Sequence, residues 1–374
     1  MTRVVLNGRF LTQSHTGVQR YAYETVLALD ALMGQHGAEF DLVLAVPRGA
    51  RELPLRHIRL RRLPWLSGHA WEQVTLPLFA RDDLLINFSY SGPVTKRHQV
   101  ITMHDATVRA MPECFSRRYR RLHDTLLALL ANRVGCVMTV SEFSEREIRS
   151  RYGVTNRMVV GREGWSHALA QGDADATLAR YGLKAGAYLL LVGSLKPNKN
   201  LEVVARAVAL VPELPWTVAV AGAADARIFR STGENDPRLK FLGFVRDADL
   251  GLLYANAAWL LFPSLYEGFG LPALEAMANG CPVIAANAAA LPEVCGGAAL
   301  YFDPRDPAAL AALLKGPARD TRLRETIRRQ AVSRLAYYTW TANAQTVLGE
   351  IRERLGLCGS APEASSLRAR GAIP

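Results

Sequence analysis

Glu267 and Glu275 are separated by seven residues, and the stretch between them, Gly268-Phe-Gly-Leu-Pro-Ala-Leu274, holds two glycines and a proline. Carboxylates accept hydrogen bonds from the hydroxyls of a sugar or a ribose. The surrounding residues predict how the pair is presented. Trp259-Leu-Leu-Phe262 reads as a buried strand, a loop follows through Pro272, and Ala273-Leu-Glu-Ala-Met-Ala-Asn279 has strong helix propensity. Pro272 suits the first helical turn and Gly280 the position just past its end. A strand, glycine loop and helix aim unpaired backbone N–H groups and a positive helix end at one spot, where a diphosphate can be held. Gly268 and Gly270 let such a ligand come close to the backbone. Taken singly, Glu275 is also accounted for by the helix dipole, and Glu267 by a solvated loop.

The elements that must carry this junction are legible over most of the 374 residues. Short apolar runs alternate with longer amphipathic ones, which argues for parallel sheets flanked by helices. In the first half the expected strands are Val4 to Leu6, Phe40 to Val46, Leu84 to Ile86, Val100 to Met103, Cys136 to Val140 and Met158 to Val160. The polar, small-residue stretch from Ala168 to Ala176 reads as a connection. Strands resume at Tyr188 to Val192, Thr217 to Ala221, Trp259 to Phe262 and Pro282 to Ala286, and a helix after residue 320 puts Leu323, Ile327, Ala331 and Leu335 on one face. The expected layout is an α/β protein of two units, 1–172 and 173–336, then a helix over 337–356 crossing back to the first unit and a loose tail over 357–374.

Composition bounds the class. An apolar fraction of 49% with 21% charged residues belongs to a soluble globular chain. No run approaches the length of a membrane-spanning helix, and Met1-Thr-Arg-Val-Val-Leu leads straight into a strand, so no secretion signal is expected. Cys114, Cys136, Cys281, Cys295 and Cys358 form no CxxC pair and read as reduced, mostly buried thiols in a cytoplasmic protein. The net charge of +11 leans toward the N-terminal half and is compatible with nucleic acid, anionic lipid or a phosphorylated substrate.

The paired glutamates, the preceding Pro263-Ser-Leu-Tyr-Glu267, the following Ala276-Met-Ala-Asn-Gly-Cys-Pro-Val-Ile284, and the later Leu291-Pro-Glu-Val-Cys-Gly-Gly297 and Leu300-Tyr-Phe-Asp-Pro304 resemble, in order, the retaining family 4 of glycosyltransferases. The resemblance covers roughly residues 1 to 356, densely in the second half, and is mannosyltransferase-like. It implies the GT-B fold, two Rossmann-like parallel-sheet domains facing a central cleft, and a nucleotide-sugar donor with no cofactor and no metal. It also implies that Glu267 contacts the donor sugar, that Glu275 takes the ribose hydroxyls, and that the amides of Gly268, Phe269, Gly270 and Leu271 face sugar and phosphate. Gly193-Ser-Leu-Lys-Pro-Asn-Lys-Asn-Leu201 resembles the family's phosphate loop, with Lys199 on the leaving diphosphate, where a cation stabilises growing charge. Many relatives carry arginine where this chain has Ser194, and Lys196 is the candidate to compensate. Gly243, Phe244 and Val245 match the place where the nucleobase packs.

In the first half, Thr16-Gly-Val-Gln-Arg-Tyr21 resembles the glycine loop that meets the donor phosphates from the other domain, which makes Gly17 a donor contact. His104-Asp105 follows the strand Val100 to Met103 and matches the family's histidine on the acceptor side of the cleft, a place also open to a structural histidine. Ser141 in Val140-Ser-Glu-Phe-Ser144 is equally a helix cap or a ligand. Arg117-Arg-Tyr-Arg-Arg121 starts a basic amphipathic stretch that suits either anionic lipid near a lipid-linked acceptor or an ordinary surface helix, and Arg56, Arg59, Arg61 and Arg62 with Trp65 and Trp71 extend it.

Asp173-Ala-Asp175 and Asp247-Ala-Asp249 each spell the DxD pattern of metal-nucleotide sites, but the first falls in the connection and the second starts a helix, where Asp is a common cap. The leading expectation is therefore metal-independent, retaining transfer of a hexose, mannose from GDP-mannose first, to a glycan or lipid-linked acceptor in polysaccharide or lipopolysaccharide assembly. Peripheral contact with the cytoplasmic face of a membrane accompanies it. UDP-sugars are the next donors. An epimerase or phosphorylase on a related fold would turn over donor without acceptor or depend on inorganic phosphate. A basic membrane-surface or nucleic-acid-binding module would leave the Glu267–Glu275 segment unexplained, and no nucleic-acid motif is present.

Overall fold

The computed structural model describes residues 2–14, 16–35, 39–194, 196–222 and 236–357. The expected tail and Cys358 lie outside the described residues, apart from Leu357. Two parallel sheets organise the chain. The first has the order β3-β2-β1-β4-β5-β6-β7, from β1 (Thr2–Asn7), β2 (Phe40–Pro47), β3 (Arg59–Leu63), β4 (Leu84–Asn87), β5 (Gln99–Thr102), β6 (Cys136–Thr139) and β7 (Arg157–Val160). The second has the order β10-β9-β8-β11-β12-β13, from β8 (Tyr188–Val192), β9 (Thr217–Ala221), β10 (Leu239–Gly243), β11 (Trp259–Phe262), β12 (Val283–Ala286) and β13 (Ala299–Phe302). In register, Val4 of β1 lies between Leu42 of β2 and Leu84 of β4, and Leu190 of β8 lies between Ala219 of β9 and Leu260 of β11. These two Rossmann-like halves form a GT-B architecture. In each, the strand order reverses at the first strand, which opens a crevice beyond the carboxyl ends of β1 and β4 and of β8 and β11.

Interior strands form where the sequence runs apolar, because helices cover both faces and alternation disappears. β4, β5, β6, β11 and β12 are buried at every position. Three strands were not expected from the sequence, β3, β10 and β13, and each is at a sheet edge. Arg59-Leu-Arg-Arg-Leu63 buries only Leu63, so its arginines line an exposed edge, a common way to protect one. The basic stretch read as a lipid-facing extension is therefore partly strand, and Trp71 within it is fully buried.

The stretch expected to be a bare connection is also more ordered. It begins on the last residue of the turn Ser166–Ala168 and runs into the helix Ala174–Tyr181, whose first turn Asp173 caps by accepting from the N–H of Ala176 at 3.0 Å. The second DxD begins the helix Asp247–Asn256 as expected, but Arg246 holds the cap position. Arg246, Tyr181 and Arg180 bind the Asp249 carboxylate and hold its pKa down to about 2. Burial pushes the Cys281 and Cys295 thiols up to about 12, which keeps them protonated. No described helix is long and apolar enough to cross a membrane.

The helix Thr321–Tyr337 buries Ile327 and Ala331 against the second half, and the helix Trp340–Arg354 then packs on Gly17–Gln35 of the first. Asn343 fixes that contact, donating to Thr25 Oγ1 at 2.7 Å and accepting from the Tyr21 hydroxyl at 3.3 Å. Two glycines after β7 make room: a Cβ on Gly164 would lie 2.3 Å from the Trp340 nitrogen, and one on Gly161 2.6 Å from Asn343 Oδ1. Gly164→Ala is expected to lower stability by about 1–3 kcal/mol through this overpacking. Gly349→Ala, in the same crossing helix with open space around it, is expected to be neutral or stabilising by up to about 1 kcal/mol. Thermal unfolding of both variants checks the pair, and equal effects would show that the crossing helix does not depend on this seat.

Candidate active site

A cleft of about 700 Å³ lies between the halves, lined by the loops that leave the carboxyl ends of their strands. Arg9, Gln13, Ser14 and Thr16 to Gln19 follow β1, Ser89 to Ser91 follow β4, and Asp105, Thr107 and Val108 follow β5. Opposite them stand Ser194, Lys196, Asn198 and Lys199, after β8, and Glu267, after β11. The expected donor residues Gly17, Ser194, Lys199 and Glu267 thus share one cavity although up to 250 positions separate them.

Lys199 Nζ lies 2.5 Å from Glu267 Oε1, both side chains mostly buried. The pair keeps a cation at the cleft wall at modest desolvation cost, since each charge compensates the other. Two asparagines that the motif reading passed over tie the lysine loop to the glutamate loop. Asn198 donates to the Tyr266 carbonyl at 3.2 Å, and Asn200 to the Pro263 and Pro304 carbonyls at 3.1 and 2.7 Å. Asn200 sits at φ +53°, a left-handed conformation that asparagine tolerates. Gly193, at φ +151°, lies beneath the Lys199 side chain, and Lys196 is exposed, its Nζ 5.2 Å from the centre of the Phe115 ring.

The glycine loop is seated on the opposite half. Ser141 Oγ and Ser144 Oγ donate to the Gly268 carbonyl at 2.5 and 2.8 Å, and a Cβ on Gly268 would lie 2.5 Å from the His104 carbonyl oxygen. Ser141 is also the cap of the helix Glu142–Tyr152, accepting from the N–H of Ser144 at 2.9 Å, as one of its two readings expected. Glu293, within the Leu291–Gly297 motif, returns the contact by accepting from the N–H groups of Glu142 and Phe143, each at 2.8 Å. A carboxylate at a helix N-terminus has a clear electrostatic reason, yet nothing in the sequence says that the helix belongs to the other half. Phe269 packs its ring edge-on to Tyr338, Gly270 at φ +113° precedes the helix Leu271–Ala278, and Leu271 is buried, so none of the three is among the residues that line the cleft.

His104 and Glu275, expected at the acceptor side and at the ribose, are both buried among hydrogen-bond partners. The His104 ring is buried, with Nε2 3.1 Å from the Phe88 carbonyl, Nδ1 3.7 Å from Glu163 Oε1, and Tyr21 and Tyr90 packed around it. Burial raises the pKa of the Glu163 carboxyl beside it. Glu275 is buried as well, with Oε1 2.9 Å from His167 Nε2 and Oε2 accepting from the Tyr254 hydroxyl at 2.9 Å. Gly243 at φ +67° ends β10, followed by a highly exposed Phe244 and a buried Val245, away from the cleft-lining set.

The helix Arg117–Ala131 has two uses of its surface. Phe115, just before it, Tyr119, His123 and Leu127 line the cleft, with the first three rings stacked in sequence at 5.2 and 3.9 Å. Arg117, Arg118, Arg120, Arg121 and Leu122 are exposed. Across the cleft floor Arg9 is already engaged, 3.1 Å from Glu72 Oε1 and donating to Ser91 Oγ at 2.9 Å.

Residues 186–318, the part of the chain that contains both lysines, both glutamates and the asparagine ties, match the family described as glycosyl transferases group 1. The chain is a glycosyltransferase. Over 361 residues this glycosyltransferase is 29% identical to O-antigen chain mannosyltransferase B of Escherichia coli, covering 89% of its own length and 95% of that protein. It is 26% identical over 330 residues to the O-antigen chain mannosyltransferase RfbU of Salmonella typhimurium, covering 83% and 90% of the two chains. The solved structure of Anabaena HepE in complex with UDP and glucose shares its fold, with a TM-score of 0.71 at 18% identity over 94% of this chain and 100% of that one.

In the glycosyltransferase, Ser144→Ala removes one bond to the Gly268 carbonyl and is expected to cost about 1 kcal/mol. Ser141→Ala removes the other together with a helix cap and is expected to cost about 2 kcal/mol. Denaturant titration checks the order, and a larger loss in Ser144→Ala would contradict the clasp as described.

Proposed function

We propose that this glycosyltransferase moves mannose from GDP-mannose, with retention of configuration and without a metal, to the growing glycan of a surface polysaccharide. The observation that carries the reading is the Lys199–Glu267 pair at the cleft wall, opposite Gly17 and beside the start of the helix Leu271–Ala278. The O-antigen mannosyltransferases to which the chain is similar over most of its length support the sugar and the pathway class.

The chemistry follows from these groups. As the bond between the anomeric carbon and the diphosphate oxygen breaks, negative charge grows on the leaving group. Lys199, Lys196 and the amides at the helix start then gain attraction in the transition state, which is where binding accelerates a reaction. Glu267 takes a hydroxyl of the donor sugar, and Glu275 the ribose hydroxyls through lone pairs its present partners leave free. Gly243 to Val245 carry the base. The acceptor hydroxyl approaches from the wall of Asp105, Tyr119 and His123, on the face the diphosphate leaves. It bonds to the anomeric carbon and passes its proton to the departing phosphate oxygen. His104 shapes that wall.

Incubation of the protein with GDP-mannose, UDP-glucose and dTDP-glucose, with mannose oligosaccharides as acceptors, is expected to give GDP and an extended glycan with the donor's anomeric configuration, unaffected by a chelator. Lys199→Ala is expected to lower kcat by about 10²–10³-fold. Release of UDP in place of GDP would move the donor to the UDP-sugars, one of which fits the UDP and glucose held by HepE. An inverted product would overturn retention.

Exposed Arg117, Arg118, Arg120 and Arg121 beside Leu122 favour a second contact, with an anionic membrane surface close to where a lipid-linked acceptor would enter. Co-sedimentation with phosphatidylglycerol vesicles, absent with phosphatidylcholine and lost in a variant carrying all four Arg→Ser changes, is the expected result. Equal binding by the variant would contradict it.

A further inference from the structure

Trp340 Nε1 lies 3.1 Å from His167 Nδ1, and His167 Nε2 lies 2.9 Å from Glu275 Oε1. An indole N–H can only donate, so Nδ1 must present its lone pair, and the proton of the neutral ring sits on Nε2, aimed at Glu275. The second oxygen of Glu275 accepts from Tyr254, whose phenol burial keeps protonated and thus a donor. Every hydrogen in the chain Trp340, His167, Glu275, Tyr254 therefore has one permitted direction, and the carboxylate is held from two sides in a single rotamer.

The chain also bridges the molecule. Trp340 is the first residue of the crossing helix, and Asn343, one turn on, grips Thr25 and Tyr21 of the N-terminal half. The Trp340 ring packs edge-on to Tyr21 with centroids 6.1 Å apart. His167 lies on the strand-to-helix connection between halves, the other place where the chain crosses, and its neighbours Ala168 and Ala170 are bonded through their backbone to Asn279 at 2.8 Å. Both crossings of the chain thus meet at His167, beside the carboxylate at the end of the glycine-loop motif. Glu163 is the further acid in this buried group, facing His104.

We propose that His167 is a positioning residue: it orients Glu275 toward the nucleotide and makes that orientation depend on the crossing helix being seated on the N-terminal half. This rests on the reading that Glu275 receives the donor's ribose hydroxyls. Loss of the Trp340 bond frees His167 to switch tautomer or turn, and Glu275 then loses one of its two fixed donors. Donor affinity and the seating of the crossing helix are consequently linked, and the link is reciprocal.

Glutamine and asparagine separate the two halves of the relay. A glutamine side-chain amide reaches the position of Nε2 and can donate to Glu275, whereas an asparagine carbonyl reaches that of Nδ1 and can only serve Trp340. With the full chain, titration of GDP and UDP is expected to show His167→Gln within about threefold of the wild-type Kd and His167→Asn and His167→Ala weakened about tenfold or more, the scale of one well-made hydrogen bond to a charged group. A side chain that merely filled space would make the two amides alike, so equal affinities for His167→Gln and His167→Asn would overturn the proposal. Nitrogen-detected NMR of the histidines, with His167 identified by its absence in His167→Gln, is expected to show an Nε2–H tautomer at neutral pH. An Nδ1–H tautomer would overturn the relay whether or not either nucleotide binds, while absence of nucleotide binding by the wild type with the expected tautomer would fault the donor reading and leave the relay standing.

Discussion

The Gly268 carbonyl is the acceptor on which the active-site geometry depends. Two serine hydroxyls from the first half converge on it, and the missing side chain lets the loop approach the His104 carbonyl closely. Glu267 is the preceding residue, so its carboxylate is placed by a contact with the opposite half as much as by its own strand. Glu293 adds the reverse contact, capping the helix that Ser141 begins. The cleft is accordingly a property of two halves in contact. Neither Rossmann-like unit builds it alone.

Charge is distributed more selectively than the total of +11 suggests. Arg9 is answered by Glu72, Lys199 by Glu267, and Arg180 and Arg246 by Asp249. Lys196 stands exposed over the Phe115 ring, where a weakly held ammonium remains available to an anion. The arginines of the helix Arg117–Ala131 face solvent. The same helix thus turns stacked rings toward the cleft and cations outward, which accounts for both of its sequence features without making them one site.

Legibility followed burial. Interior strands such as β8 and β11 are continuous apolar runs because both faces are covered, and they were readable. β3, β10 and β13 were not: these edge strands are only partly buried, and arginines interrupt β3 and a lysine β10, so neither a continuous buried run nor a clean alternation marks them. The supposed connection around Asp173 hid a helix, since small residues that suit a loop are equally good helix formers once an aspartate caps them. Within the site, motif spacing exposed the lysine and the glutamates. Asn198, Asn200, Glu293 and His167 escaped notice because each acts through a partner far away in sequence, and no periodicity marks such a contact.

The amino-acid sequence by itself determined the alternation of strands and helices, the strand, glycine loop and helix that carry Glu267 and Glu275, and the family that this order of motifs resembles. Those are local properties, set by propensity, by chain geometry and by which residues must avoid water. Tertiary structure alone decided that Lys199 would meet Glu267, that Ser141 would be both cap and clasp, and that His104 and Glu275 would be buried in hydrogen-bonded surroundings. The reason is that a buried polar group must find its partner in space, and the partner is whichever donor or acceptor the packing of two sheets brings within reach.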